Sequence, residues 1–129
     1  MTEQDVTPVF DGNDAVNTIC AHGDKDEADE FLRTIDTKNQ AKFQRYLVYL
    51  RDGKRVKSPE NMRHIKATDP RAQGAEVHEL KVHRDGGLRL YLVKFESRWY
   101  ATHGLKRKPR NNAVPKEAQE AFSIFWGGI

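Results

Sequence analysis

Lys81, Arg89 and Tyr91 stand close together in the middle of this chain, with His83 and His103 nearby and a dense basic run from Lys106 through Arg107 and Lys108 to Arg110. Such a set suits a phosphate. Ammonium and guanidinium groups hold anionic oxygens, and the planar guanidinium holds two at once. An imidazole or a phenol can carry a proton or stack on a base. From Ser97 to Lys116 there are six Lys or Arg and no acid, the electrostatic footprint of a polyanionic partner. The alternative is a face of ordinary solvated charge.

The elements that must position these groups follow from the pattern around them. Asp85-Gly86-Gly87 is a turn signal between two β-rich runs, about 76–84 and 88–96. Side chains alternate along a strand, so loop length decides which residues share a face. A three-residue loop pairs Arg84 with Leu88, His83 with Arg89, Val82 with Leu90 and Lys81 with Tyr91. Leu80, Val82, Leu88, Leu90 and Leu92 then form an apolar face. Glu79, Lys81, His83, Arg89 and Tyr91 form the opposite one. A two-residue loop would put Arg89 and Tyr91 among the leucines, burying charge, so the longer loop is expected. The polar face is expected to lie open, where charged residues can also be plain solvated positions.

Residues 1–13 read as a flexible arm with a short extended piece at Val6–Phe10, and 14–129 as a single domain. A first strand is expected at Ala15–Ala21. Asp24 can cap a helix with Ala28, Phe31, Leu32 and Ile35 inward. Thr37 can cap a second, with Phe43, Tyr46, Leu47 and Leu50 inward and Gly53 at its end. The short link between them predicts an antiparallel helical hairpin. Met62 and Ile65 fit a short turn of helix in an otherwise polar stretch. A third strand is expected at about 98–103, and Pro115 opens a last helix with Ala118, Ala121, Phe122 and Phe125 buried. The expected class is α+β: a small, mostly antiparallel sheet, an N-terminal helical hairpin on one face, and a C-terminal helix.

The net charge of +3 hides an asymmetry: residues 1–36 hold ten acids and two bases, the rest nine acids and twenty bases. A single cysteine, Cys20, excludes an internal disulfide and is expected as a free buried thiol. No apolar run approaches the roughly 20 residues of a membrane span, and the acidic N-terminus has no apolar core of a signal peptide, so a cytoplasmic protein is expected. His78 and His83 fall on opposite faces of a strand and Cys20 has no partner, so no metal and no cofactor are expected.

The order of motifs resembles the RelE/ParE superfamily of bacterial toxins, in particular its phage-derived HigB-like branch. The shared pieces are a helical hairpin, Gly74 leading to Glu79-Leu80-Lys81, then Arg89-Leu90-Tyr91, then His103-Gly104-Leu105-Lys106-Arg107-Lys108, then Pro115 to Ala121. The resemblance implies the toxin of a type II toxin–antitoxin system. It implies a ribosome-dependent mRNA endonuclease in which the substrate 2′-hydroxyl attacks the adjacent phosphate. It carries over Lys81, Arg89, Tyr91, Arg107 and Lys108 as catalytic residues, and His83, His103, Lys106 and Arg110 as RNA-binding ones. The implied partners are a cognate antitoxin and mRNA on the ribosome, with no membrane and no small-molecule cofactor. The related ParE branch poisons gyrase without cutting RNA. A non-nucleolytic interaction protein, whether such a poison or a phage RNA or host-protein binder, therefore stays open as the alternative.

Overall fold

The computed structural model describes residues 5–56, 61–66, 73–82, 87–107 and 114–129. The chain runs β1 (Val6–Phe10), β2 (Asn13–Ile19), α1 (Glu27–Thr34), α2 (Thr37–Arg51), β3 (Met62–Ile65), β4 (Glu76–Val82), β5 (Leu88–Phe95), β6 (Arg98–Leu105) and α3 (Val114–Gly128). The strands form one sheet in the order β1-β2-β6-β5-β4-β3. Every neighbouring pair is antiparallel except β2 and β6, which run parallel.

This corrects the expected class. The sheet is mixed and has six strands. The N-terminus is a β-hairpin, β1–β2, and the two helices come after it. The extended piece expected at Val6–Phe10 is strand β1, β3 was not expected as a strand, and these two are the edges of the sheet. An edge strand is half in water and needs no clean alternation of apolar residues. Pro8 lies within β1, which an edge tolerates because one row of its backbone donors is unused. Met62 and Ile65 are the two buried ends of β3, not a turn of helix. They face Leu80 and Val77 across the β3–β4 ladder.

The caps also differ by a residue or two from expectation. Asp26 caps α1 by accepting from the Asp29 N–H at 2.9 Å, and Asp36 caps α2 by accepting from Asn39 at 2.8 Å. Both close unpaired donors of a first turn. Gly53, at φ 72°, follows α2 in the left-handed region that ends helices.

The central pair is slipped by two residues from the expected register. Val82 pairs with Leu88, Lys81 with Arg89, Leu80 with Leu90 and Glu79 with Tyr91. A slip of two preserves the faces, because alternation repeats every two residues. Leu80, Val82, Leu88, Leu90 and Leu92 therefore pack with Phe31, Phe43 and Leu47 of α1 and α2 in one core. The opposite face is not open. Val77, Tyr91, Val93 and Tyr100 pack there against Ala118, Ala121, Phe122 and Phe125 of α3. The sheet is thus a middle layer with helices on both sides. No helix among the described residues is long and apolar enough to cross a membrane.

Gly104 has a steric purpose. A Cβ there would overlap the ring of Phe31, so only glycine lets α1 lie on β6. Gly104→Ala is expected to destabilise the fold by about 1–3 kcal/mol, the usual effect of overpacking. A lower urea midpoint at unchanged slope is the measurement that checks it.

Candidate polar site beneath the C-terminal helix

Strand pairing gathers four polar side chains on the α3 face. Glu79 and Tyr91 are directly opposite on β4 and β5, and Tyr91 is opposite His103 on β6. The register shifts between Tyr91 and Leu92, where β6 carries an extra residue, Thr102. Arg89 lies one step along the same face of β5. All four are buried, Glu79 and Tyr91 fully and Arg89 and His103 to 4 % exposure.

Glu79 is the hub. Tyr91 donates its hydroxyl to Glu79 Oε2 at 2.7 Å. Arg63 of β3 donates through Nε to Oε1 at 3.1 Å. Arg89 Nε stands 3.6 Å from Oε2, close enough for ion pairing and too far for a hydrogen bond. The Arg89 guanidinium is instead fixed by Nη1 donating to the Gly87 carbonyl at 2.9 Å. Burial, and then the hydrogen bond to Glu79, push the Tyr91 phenol far above its ordinary value. Tyr91 is therefore a hydrogen-bond donor at neutral pH and a poor base. Its ring stacks on His103 with centroids 4.8 Å apart and planes 13° from parallel. His103 is held on both ring nitrogens, by Thr102 Oγ1 at 3.0 Å and by Glu117 Oε1 of α3 at 3.1 Å.

The structure thus unites three expected residues, Arg89, Tyr91 and His103, on the face of the sheet that α3 packs on. Lys81 is half-buried and pairs with Arg89 across the β4–β5 ladder. Lys106 and Arg107 are exposed just past the end of β6. Lys106 borders a hollow of about 220 Å³ shared with Glu27 and Glu30 of α1, away from the Arg89 cluster. His83, Lys108 and Arg110 lie outside the described residues.

Sequence reasoning placed Glu79 on this face but not opposite Tyr91, and missed Arg63 and Glu117 as members of the cluster. The expected register set Lys81 opposite Tyr91, which hid the Glu79–Tyr91 pair. Arg63 was unreadable without β3, and Glu117 without the docking side of α3. Cys20 is half-buried and free, and burial with Asp26 beside it raises its thiol above the usual range, which disfavours a nucleophile. On the other face of the sheet, burial pushes the His78 imidazole down, against the pull of Glu76.

Against known proteins, one family model matches residues 30–122, that of the phage derived protein Gp49-like family (DUF891). No curated protein and no solved structure gives a match.

Proposed function

We propose that this chain, which belongs to the phage-derived Gp49-like family, is the toxin of a type II toxin–antitoxin pair and cuts mRNA on the ribosome. The family is toxin-like, of the RelE/HigB type, and suggests an antitoxin as partner. The observation that carries the reading is the cross-strand register. Lys81 pairs with Arg89, and Arg89 with Leu105. Lys81 and Arg89 are therefore cross-strand neighbours at the strand end that Lys106 and Arg107 follow, with Lys106 on the α1 side.

Cleavage of this kind needs several cations around one phosphate. The substrate 2′-hydroxyl loses its proton and attacks the adjacent phosphorus. The 5′-oxygen leaves and takes a proton, and a cyclic phosphate remains. Negative charge builds on the phosphoryl oxygens in between, and aimed donors lower that barrier. Lys106 and Arg107 make the first contact, being at the surface. Arg89, Tyr91 and His103 lie beneath α3 and in this reading meet RNA only with α3 lifted. Tyr91, held protonated, serves as a donor or a stacking surface and not as the base.

One observation favours a second reading. Glu79 and Glu117 already occupy the hydrogen-bonding groups of Tyr91 and His103, backbone carbonyls hold the Arg89 guanidinium, and α3 packs on Tyr91 and His103. A protein that acts by contact, as a gyrase poison or a binder of phage RNA or a host protein, needs no open face. Primer extension on mRNA in a translating extract separates the two. Wild type is expected to leave cuts that a Lys106→Ala/Arg107→Ala double variant makes about 10²–10³-fold more slowly, the range for loss of aimed donors. Uncut mRNA with translation or growth still blocked would favour the second reading. Uncut mRNA with no inhibition would remove both.

A further inference from the structure

We propose that His64, Glu76 and His78 form a binding site for a borderline transition-metal dication of the zinc class, on the sheet face opposite α3. The β3–β4 pairing sets His64 directly across from His78. Their rings stack with centroids 4.9 Å apart and planes 19° from parallel. Glu76 precedes His78 by two positions, so both point to the same face of β4. Glu76 Oε1 is 3.2 Å from His78 Nε2. One donor atom from each of the three residues lies within 4.8 Å of the others.

Two imidazoles and one carboxylate are a donor set that zinc accepts, with the fourth position left for water or a ligand. Imidazole and carboxylate also argue against a soft monovalent ion, which would select thiolates or thioethers. Parallel rings aim their nitrogen lone pairs side by side, so one ring must turn for both to meet a single ion. His64 can do so, since it is exposed and stands on an edge strand. His78 is the steadier ligand, braced edge-on by Trp99 at 4.9 Å. The ion would sit at the wall of a cleft of about 450 Å³ lined by His64, His78, Trp99, Lys54, Arg55 and Lys94. Arg63 lines the cleft as well, so four cations, Lys54, Arg55, Arg63 and Lys94, oppose a dication. The three donors must carry the binding between them, and loss of any one is sharply felt. The site lies on the other side of the sheet from the Glu79 cluster and stands whether or not the protein cuts RNA.

Calorimetric titration of Zn²⁺ into the full chain is expected to show one ion bound. His64→Ala and His78→Ala are each expected to weaken it by roughly tenfold or more, since even the hydrogen-bond partners of metal ligands matter that much. Cys20→Ser leaves the affinity unchanged. In a Trp126→Phe background the remaining indole is Trp99, and Cu²⁺ quenches its fluorescence unless His64 is replaced. Unchanged circular dichroism shows that the His64→Ala protein is folded. The proposal is overturned by absence of both heat and quenching, by equal Zn²⁺ affinity in wild type and His64→Ala, or by binding that disappears with Cys20→Ser.

Discussion

Glu79→Ala is expected to lower the unfolding free energy by about 3–5 kcal/mol, the range for breaking a buried ion pair from one side. The carboxylate is fully buried and serves Tyr91, Arg63 and Arg89 at once. Its removal leaves the Arg89 guanidinium, 4 % exposed, with only backbone carbonyls for hydrogen-bond partners among the described residues. The Tyr91 hydroxyl loses its acceptor in the same step. Arg63 matters less, since its side chain is 43 % exposed and water can take over. A domain of this size has roughly 5–15 kcal/mol in total, so the variant should unfold at much lower urea. Removing the guanidinium as well should recover part of the loss. In a double-mutant cycle, Glu79→Ala with Arg89→Met is expected to be clearly less than additive. Strict additivity would mean that Arg89 draws nothing from Glu79.

Phe125→Ala is expected to have an effect of similar size, about 3–5 kcal/mol, through a different cause. Its ring is fully buried at the heart of the α3 contact. It meets Phe95 at 5.4 Å, Tyr100 at 5.2 Å and Trp126 at 4.8 Å between centroids. Truncation removes apolar area and leaves a cavity that its rigid aromatic neighbours cannot close. The neighbouring Ser123 faces solvent, and Ser123→Ala should stay within about 0.5 kcal/mol. Urea unfolding of the pair separates loss of packing from any general weakness of the helix. Amide exchange should also rise first at the turns of α3 nearest Phe125, while β4 and β5 stay protected. An unchanged midpoint for Phe125→Ala would mean that α3 does not hold the sheet.

The parts of the fold legible in the sequence were those with two strong neighbours. Leu80, Val82, Leu88, Leu90 and Leu92 alternate cleanly because β4 and β5 are interior strands whose stretch from Leu80 and Leu88 faces an apolar core. Phe43, Leu47 and Leu50, and likewise Ala118, Ala121, Phe122 and Phe125, keep a helical period because each set faces a continuous core. β1 and β3 lacked such a signature, since their outer sides answer to water. The polar face misled for a further reason. Tyr91 and His103 are aromatic and amphipathic, and nothing local distinguishes a ring that meets water from one that meets a helix 14 or more positions away. What decides is whether α3 docks there, a non-local fact. Arg89, Tyr91 and Glu79 were legible on one face, but the direct pairing of Glu79 with Tyr91 was concealed by a register error that alternation alone cannot detect.

The parallel pairing of β2 with β6 also sets the order in which the molecule can be completed. The Asn17 side chain donates to the Trp99 carbonyl across 82 positions of chain. The His22 amide donates to the carbonyl of Gly127, close to the end of α3. Loop closure over such spans must precede any reward from the contact. During synthesis, the early hairpin waits without its sheet neighbour until β6 has emerged from the ribosome. The Glu79–Tyr91–His103 face cannot be sealed until α3 follows. A ribosome making this domain therefore holds the sheet with one face uncovered until α3 has emerged.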